Sequence, residues 1–126
     1  MSYNVLAVDD NKDIVDLIES FLEVEPKYHV IKSYSGQDAL DKLAKEKIDV
    51  IILDLMMPEI DGMEVLRRVR SSNETKDMKV IILTAKDDLE DFSESLELGV
   101  SLYLNKPFSY EKLKYSLEAV LEKKLD

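Results

Sequence analysis

Three short apolar runs, at residues 5–8, 50–53 and 80–83, each stop abruptly at polar side chains: Asp9 with Asp10, Asp54, and Thr84. Continuous aliphatic runs of that length suit strands covered on both faces, the pattern of a parallel sheet. Between the runs, apolar residues recur at helical spacing. Ile14, Leu17, Ile18, Phe21 and Leu22 line one side of a first helix, and Ala39, Leu40 and Leu43 mark a second. Val65, Leu66 and Val69 belong to a third, whose exposed side carries Arg67, Arg68 and Arg70. Leu89, Phe92 and Leu96 define a fourth, closed by Gly99 as a left-handed cap, and Leu113, Leu117, Val120 and Leu121 define a fifth. The predicted strands are residues 5–8, 28–34, 48–53, 79–83 and 100–104, the second polar enough for a sheet edge.

Strand and helix therefore alternate from end to end, with no internal repeat. Such alternation implies right-handed crossovers that put helices on both faces of one parallel sheet. Residues 1–126 are expected to form a single α/β domain. Of the two common doubly wound orders, the dinucleotide-binding one needs a glycine-rich turn after its first strand. Val8-Asp9-Asp10, in a chain with 3 glycines, supplies none. A flavodoxin-like (βα)5 fold is expected, a doubly wound parallel five-stranded sheet with strand order 2-1-3-4-5.

Composition narrows the function. The chain is 45% hydrophobic and 35% charged, as a globular protein should be, and no apolar stretch approaches the roughly 20 residues of a membrane span. With no leader ahead of the first strand, a cytoplasmic protein is expected. The absence of cysteine excludes disulfides, thiolate zinc sites and cysteine nucleophiles. Seventeen basic against 27 acidic side chains give a net charge of −10, which repels nucleic acid and anionic membranes and welcomes a hard cation.

In a sheet of this order the carboxyl ends of the strands share one edge, where open α/β sheets bind ligands. That edge gathers Asp9, Asp10, Asp54, Thr84 and Lys106. Each has an ordinary reading alone: Asp9, Asp10 or Asn11 as a helix cap, Asp54 as a turn residue, Thr84 as a β-branched strand end, Lys106 as a solvated lysine before a proline. Those readings must hold five times together, which favours one shared site. Three neighbouring carboxylates repel one another unless a proton or cation sits among them, and an all-oxygen cage suits Mg2+ or Mn2+ better than zinc. A metal beside a carboxylate nucleophile, with an ammonium and a hydroxyl at hand, meets the needs of phosphoryl transfer. Asp54 is the natural acceptor.

Val8-Asp9-Asp10, Leu53-Asp54-Leu55-Met56-Met57-Pro58 with Asp61-Gly62, Leu83-Thr84-Ala85, and Tyr103-Leu104-Asn105-Lys106-Pro107-Phe108 together resemble the receiver domain of two-component response regulators. The resemblance covers essentially the whole chain. It implies phosphoryl transfer from a histidine kinase or histidine phosphotransfer protein to Asp54, the chain catalysing only its own phosphorylation and dephosphorylation and so being no enzyme in the ordinary sense. Asp9, Asp10 and Asp54, with the backbone carbonyl of Met56, are the implied Mg2+ ligands. Lys106 is implied to pair with a phosphoryl oxygen, or with Asp54 before transfer; the Lys106-Pro107 bond is left open between trans and cis, the latter of which would aim the lysine inward. Thr84 and Tyr103 are the implied switch residues, acting on the surface of helix four, strand five and helix five to control a partner or output domain. Met56 and Lys86, two residues beyond the acceptor and the threonine, are the implied modulators of phosphoryl lifetime, with the Met56 side chain screening Asp54 from water.

The single histidine, His29, reads as a half-exposed residue of the edge strand and not as a phosphodonor, and Met57 and Phe108 read as packing. The resemblance also has a departure. Receivers of winged-helix regulators carry acidic residues where this chain has Val100-Ser101-Leu102, and the last helix here offers Lys112, Lys114, Lys123 and Lys124 but no arginine. A monomer or a weak phosphorylation-dependent dimer is expected in place of their salt-bridged dimer. Two other readings stand beside the main one. A degenerate receiver would act as a phosphorylation-independent binding module. A haloacid-dehalogenase-like phosphatase would need a second acid two residues after its nucleophile, where this chain has Met56.

Overall fold

The structure is a computed structural model that describes residues 2–85 and 92–122. In chain order its elements are β1 (Tyr3–Val8), α1 (Lys12–Leu22), β2 (Tyr28–Ser33), α2 (Gly36–Lys45), β3 (Val50–Asp54), α3 (Gly62–Ser71), β4 (Lys79–Thr84), α4 (Phe92–Glu97), β5 (Leu102–Asn105) and α5 (Tyr110–Glu122). Every strand pair is parallel, and the sheet order is β2-β1-β3-β4-β5, the flavodoxin-like order expected.

Period-two alternation divides each central strand between two cores. Val5, Ala7, Val50, Ile52, Ile81 and Leu83 pack with Val15 and Ile18 of α1 and Leu113 and Leu117 of α5. Leu6, Val8, Ile51, Leu53, Val80 and Ile82 pack on the opposite face with Ala39 of α2 and Val65 and Leu66 of α3. Burial on both sides is why these strands show no polar alternation in the sequence. Their register sets the functional edge: Val8 lies opposite Leu53, Asp54 opposite Leu83, and Thr84 opposite Asn105.

Side-chain caps start the helices. Asn11, Ser35 and Asp61 accept hydrogen bonds from the backbone N–H groups of Asp13, Asp38 and Glu64 at 3.0, 3.1 and 2.9 Å. Asn11 thus takes the capping role, which leaves Asp9 and Asp10 free for other work. Several expected boundaries and faces shift. In α1 the buried stripe is Val15, Ile18 and Leu22, and Leu17, about 200° round the helix from Val15, turns outward. β2 ends at Ser33, and Tyr34 packs beside the first core. β3 begins at Val50 because pairing with β1 begins there, while Ile48 is buried in the preceding loop. β5 begins at Leu102 because the Val100 N–H still bonds the Ser95 carbonyl of α4.

Gly99 takes the expected left-handed conformation, with φ of 74°. Arg70 is half-buried instead of exposed, since its guanidinium donates to the carbonyls of Lys76, Leu98 and Gly99. Leu96 faces solvent, 52% exposed. Lys86, Leu89, Lys123 and Lys124 lie outside the described residues. Among the described residues, no helix is long and apolar enough to cross a membrane.

The loop from β3 to α3 holds Glu59 at φ 64°, a conformation that costs a residue with a β-carbon about 1–2 kcal/mol. Glu59→Gly is expected to raise the unfolding free energy by about 0.5–1 kcal/mol, after the greater entropy of a glycine in the unfolded chain is subtracted. The reading is a higher urea midpoint at unchanged slope. A lower midpoint would mean that contacts of the Glu59 side chain outweigh the strain.

Candidate functional site

The sheet's carboxyl edge brings together the five residues expected there. Asp9 and Asp54 are buried, 1% and 4% exposed, and Asp10 is open to solvent. The Asp9 N–H donates to the Ser33 carbonyl at 3.2 Å, which ties this backbone to the end of β2, and its Oδ1 accepts from the Asn11 N–H at 2.9 Å. Lys106, just past β5, places Nζ 2.7 Å from Asp9 Oδ2 and 3.4 Å from Asp54 Oδ1. Its own N–H donates to the Thr84 carbonyl at 2.9 Å, and its bond to Pro107, left open by the sequence, is cis. Asp54 Oδ1 also receives the Met56 N–H at 3.3 Å.

Strand alternation explains the aim of each side chain. Asp9, Asp54 and Lys106 continue the series of Ala7, Ile52 and Leu104, which faces α1 and α5. Thr84 continues the series of Val80 and Ile82, and half-buried Tyr103 packs against that same second core. The charged groups and the threonine–tyrosine pair therefore belong to opposite sides of one edge. The Thr84 hydroxyl donates to the Ala85 carbonyl at 2.8 Å, and the Tyr103 hydroxyl is hydrogen-bonded to that of Ser95 in α4.

Burial pushes the Asp54 carboxyl up to about 6; the charge of Asp9 adds to the rise and that of Lys106 opposes it. Burial works to lower Lys106, but its hydrogen bond to Asp9 and the charges of Asp54 and Asp9 outweigh it, so its pKa is raised. Carboxylate oxygens of Asp9, Asp10 and Asp54 all lie within 4.8 Å of one another. An all-oxygen set with one member open to solvent fits a hard divalent cation that keeps part of its water.

Two supporting residues had little signal in the sequence. A β-carbon on Gly62 would stand 2.1 Å from the Asp54 carbonyl oxygen and 2.6 Å from Leu55 Cα, so only glycine lets α3 start against the backbone of Asp54. Ser33 is wholly buried, and its hydroxyl donates to Asp38 Oδ2 at 2.6 Å while its carbonyl holds Asp9. The Asp61-Gly62 pair was visible as a motif, but a lone buried serine resembles any other strand end. Elsewhere, His29 is exposed on β2, and Met57 and Phe108 are buried packing residues. The Met56 side chain is 65% exposed and so is not packed over Asp54. Lys86 falls outside the described residues.

The family model of the response regulator receiver domain matches residues 5–118. This chain belongs to the response regulator receiver family. Among solved structures it is similar to chemotaxis protein CheY4 of Vibrio cholerae, at 34% identity and a TM-score of 0.88, covering 96% of this chain and 100% of that one. The receiver domain of Francisella response regulator 1452 is 33% identical with a TM-score of 0.85, covering 97% of this chain and 98% of that one. The receiver domain of sensor histidine kinase PA1611 from Pseudomonas aeruginosa is 27% identical with a TM-score of 0.86, covering 97% and 99%. That last structure has a magnesium ion coordinated in its active site cleft. Receiver domains bind Mg2+ at an acidic pocket and interact with histidine kinases or phosphotransfer proteins, and this receiver has the acidic cluster Asp9, Asp10 and Asp54.

The raised pKa of Asp54 has a consequence for stability. Between about pH 4 and pH 6 the folded, metal-free protein keeps a proton that the unfolded chain releases. Below that window both states are protonated and nothing is lost; above it the buried carboxylate costs on the order of 3 kcal/mol. Asp54→Asn is expected to stabilise the protein in EDTA by about 1–3 kcal/mol at pH 7, with the gain fading toward pH 4. Urea unfolding across that range measures it, and a gain independent of pH would rule out this origin.

Proposed function

We propose that this receiver accepts a phosphoryl group on Asp54 from a histidine kinase or histidine phosphotransfer protein, in a Mg2+-dependent reaction, and thereby alters the surface of α4, β5 and α5. The observation that carries the reading is the position of Lys106, shared between Asp9 and Asp54 at 2.7 and 3.4 Å beside an all-oxygen cluster. In the transfer an Asp54 oxygen attacks phosphorus, the bond from phosphorus to the donor's imidazole nitrogen breaks, and the departing imidazole takes up a proton. Asp9, Asp10 and Asp54, with the Met56 carbonyl, are the residues that would hold Mg2+. When bound, the ion supplies neutralisation of charge on the phosphoryl oxygens.

Lys106 then exchanges its carboxylate partners for a phosphoryl oxygen, a small move for an ammonium already beside Asp54. The Thr84 hydroxyl, which donates to the Ala85 carbonyl, turns to a second phosphoryl oxygen. Thr84 and Tyr103 share the same side of the sheet, so the movement of one changes the space open to the other. Partner or output control follows from that change.

The test is intact mass after incubation with a small phosphodonor, with and without Mg2+. A phosphoryl gain is expected for the parent with Mg2+ and not for Asp54→Asn. No gain across several donors would favour a phosphorylation-independent binding module, and equal gain in the variant would overturn the choice of Asp54.

Phosphoryl lifetime is assigned in part to Met56, two residues past the acceptor, whose apolar side chain, 65% exposed here, is free to close over a loaded Asp54. Met56→Asn is expected to hasten loss of the phosphoryl group several-fold, on the order of 1 kcal/mol in barrier. Decay followed by mass spectrometry decides this, and an unchanged rate would remove Met56 from the role. Lys86, the other candidate, is tested by the same decay experiment on Lys86→Ala.

A further inference from the structure

The described part of α4 is joined to α3 by polar contacts. Its described residues bury Ser95 completely, leave Leu96 52% exposed, and are followed by Leu98, half-buried against the second core. Polar groups supply much of the attachment. Arg67 of α3 makes a two-pronged contact with Glu94, Nε to Oε2 at 2.6 Å and Nη2 to Oε1 at 2.8 Å. One turn further along α3, Arg70 donates from Nε to the Leu98 carbonyl at 2.5 Å and from Nη2 to the Gly99 carbonyl at 3.1 Å. Its Nη1 donates to the Lys76 carbonyl at 3.0 Å, which anchors the same guanidinium to the loop before β4.

The carbonyls that Arg70 meets lie at the C-terminal end of α4, where a helix runs out of internal donors and where a cation meets the negative end of its dipole. Residues three apart on a helix share a face, so Arg67 and Arg70 both reach α4; Arg67 also donates from Nη1 to Glu64 of its own helix at 3.2 Å, and Arg68 pairs with Glu64 alone, at 2.9 Å. The Ser95–Tyr103 hydrogen bond links the seating of α4 to the Tyr103 side chain.

We propose that Arg67 and Arg70 form a two-point tether that holds α4 in its resting position, so that weakening the tether favours the phosphoryl-loaded state of the Asp54 site. The second half of this statement rests on Asp54 being the acceptor. Linkage gives the sign: if loading Asp54 shifts α4 away from its resting seat, any change that destabilises that seat strengthens loading by the same factor.

The experiment compares the full chain with Arg67→Glu, Glu94→Arg, the Arg67→Glu/Glu94→Arg charge swap, and Arg70→Gln. Amide hydrogen exchange in the unphosphorylated protein is expected to quicken roughly five- to tenfold over residues 94–101 in the single variants and to recover in the swap. Exchange in β1 and β3 should stay as in the parent, which separates local release from global unfolding. Binding of beryllofluoride with Mg2+, followed by fluorine NMR, is expected to tighten roughly three- to tenfold in the single variants.

Unchanged exchange over residues 94–101 in both Arg67→Glu and Arg70→Gln would overturn the tether. Faster exchange with unchanged beryllofluoride affinity would overturn its coupling to Asp54. Failure of the parent to bind beryllofluoride would sink the acceptor reading, and the coupling with it, while hydrogen exchange still decides the tether.

Discussion

The site depends on holding two like charges side by side at the end of a fully buried sheet. The register of β1 and β3 leaves no choice in this: Val8 opposite Leu53 makes Asp9 and Asp54 neighbours, and both are almost wholly covered. Water cannot screen them there, so the repulsion has to be met by a proton, a cation or an ammonium. Lys106 meets part of it, bonded to Asp9 and close to Asp54, and the remaining imbalance appears as the raised pKa of Asp54. A carboxylate kept under that tension is poised to gain from any group that brings positive charge or takes up its lone pairs. The same repulsion that costs stability is relieved by any positive charge placed among these carboxylates.

Strand periodicity then separates chemistry from its consequences. One residue of alternation sends Asp9, Asp54 and Lys106 toward the face of α1 and α5, and places Thr84 with Tyr103 on the face of α3. The parallel register makes them adjacent all the same, because the Lys106 N–H bonds the Thr84 carbonyl across the β4–β5 pair. That hydrogen bond is a direct backbone link between the residue carrying the ammonium and the threonine on the other side of the sheet.

The sheet and the five edge residues were legible in the sequence because they follow from pattern. Buried parallel strands appear as uninterrupted aliphatic runs, and polar residues ending those runs must fall on one edge. The misread positions are those where a tertiary partner decides. Arg70 looks like any surface arginine until the loop at Lys76 and the end of α4 arrive around it. Ser33 matters through a carbonyl, which no side-chain pattern displays, and although the Asp61-Gly62 motif was in view, the close approach to the Asp54 backbone that Gly62 permits was not. The start of β5 was misplaced because Val100, a good strand residue, is spent on closing α4.

That same closure bears on how the molecule moves. The described part of α4 buries Ser95 and is joined to α3 by Arg67 at Glu94 and by Arg70 at its C-terminal end. An exposed ion pair such as Arg67–Glu94 contributes about 0–1 kcal/mol, and hydrogen bonds such as those from Arg70 about 1–3 kcal/mol each when charged. The two Arg70 bonds to the end of α4 and the ion pair together come to about 2–7 kcal/mol, an appreciable fraction of the roughly 5–15 kcal/mol typical of a domain. Under the proposed function, these polar contacts are what a loaded Asp54 would have to offset in reseating α4, and none of them belongs to the strand pairing of the sheet.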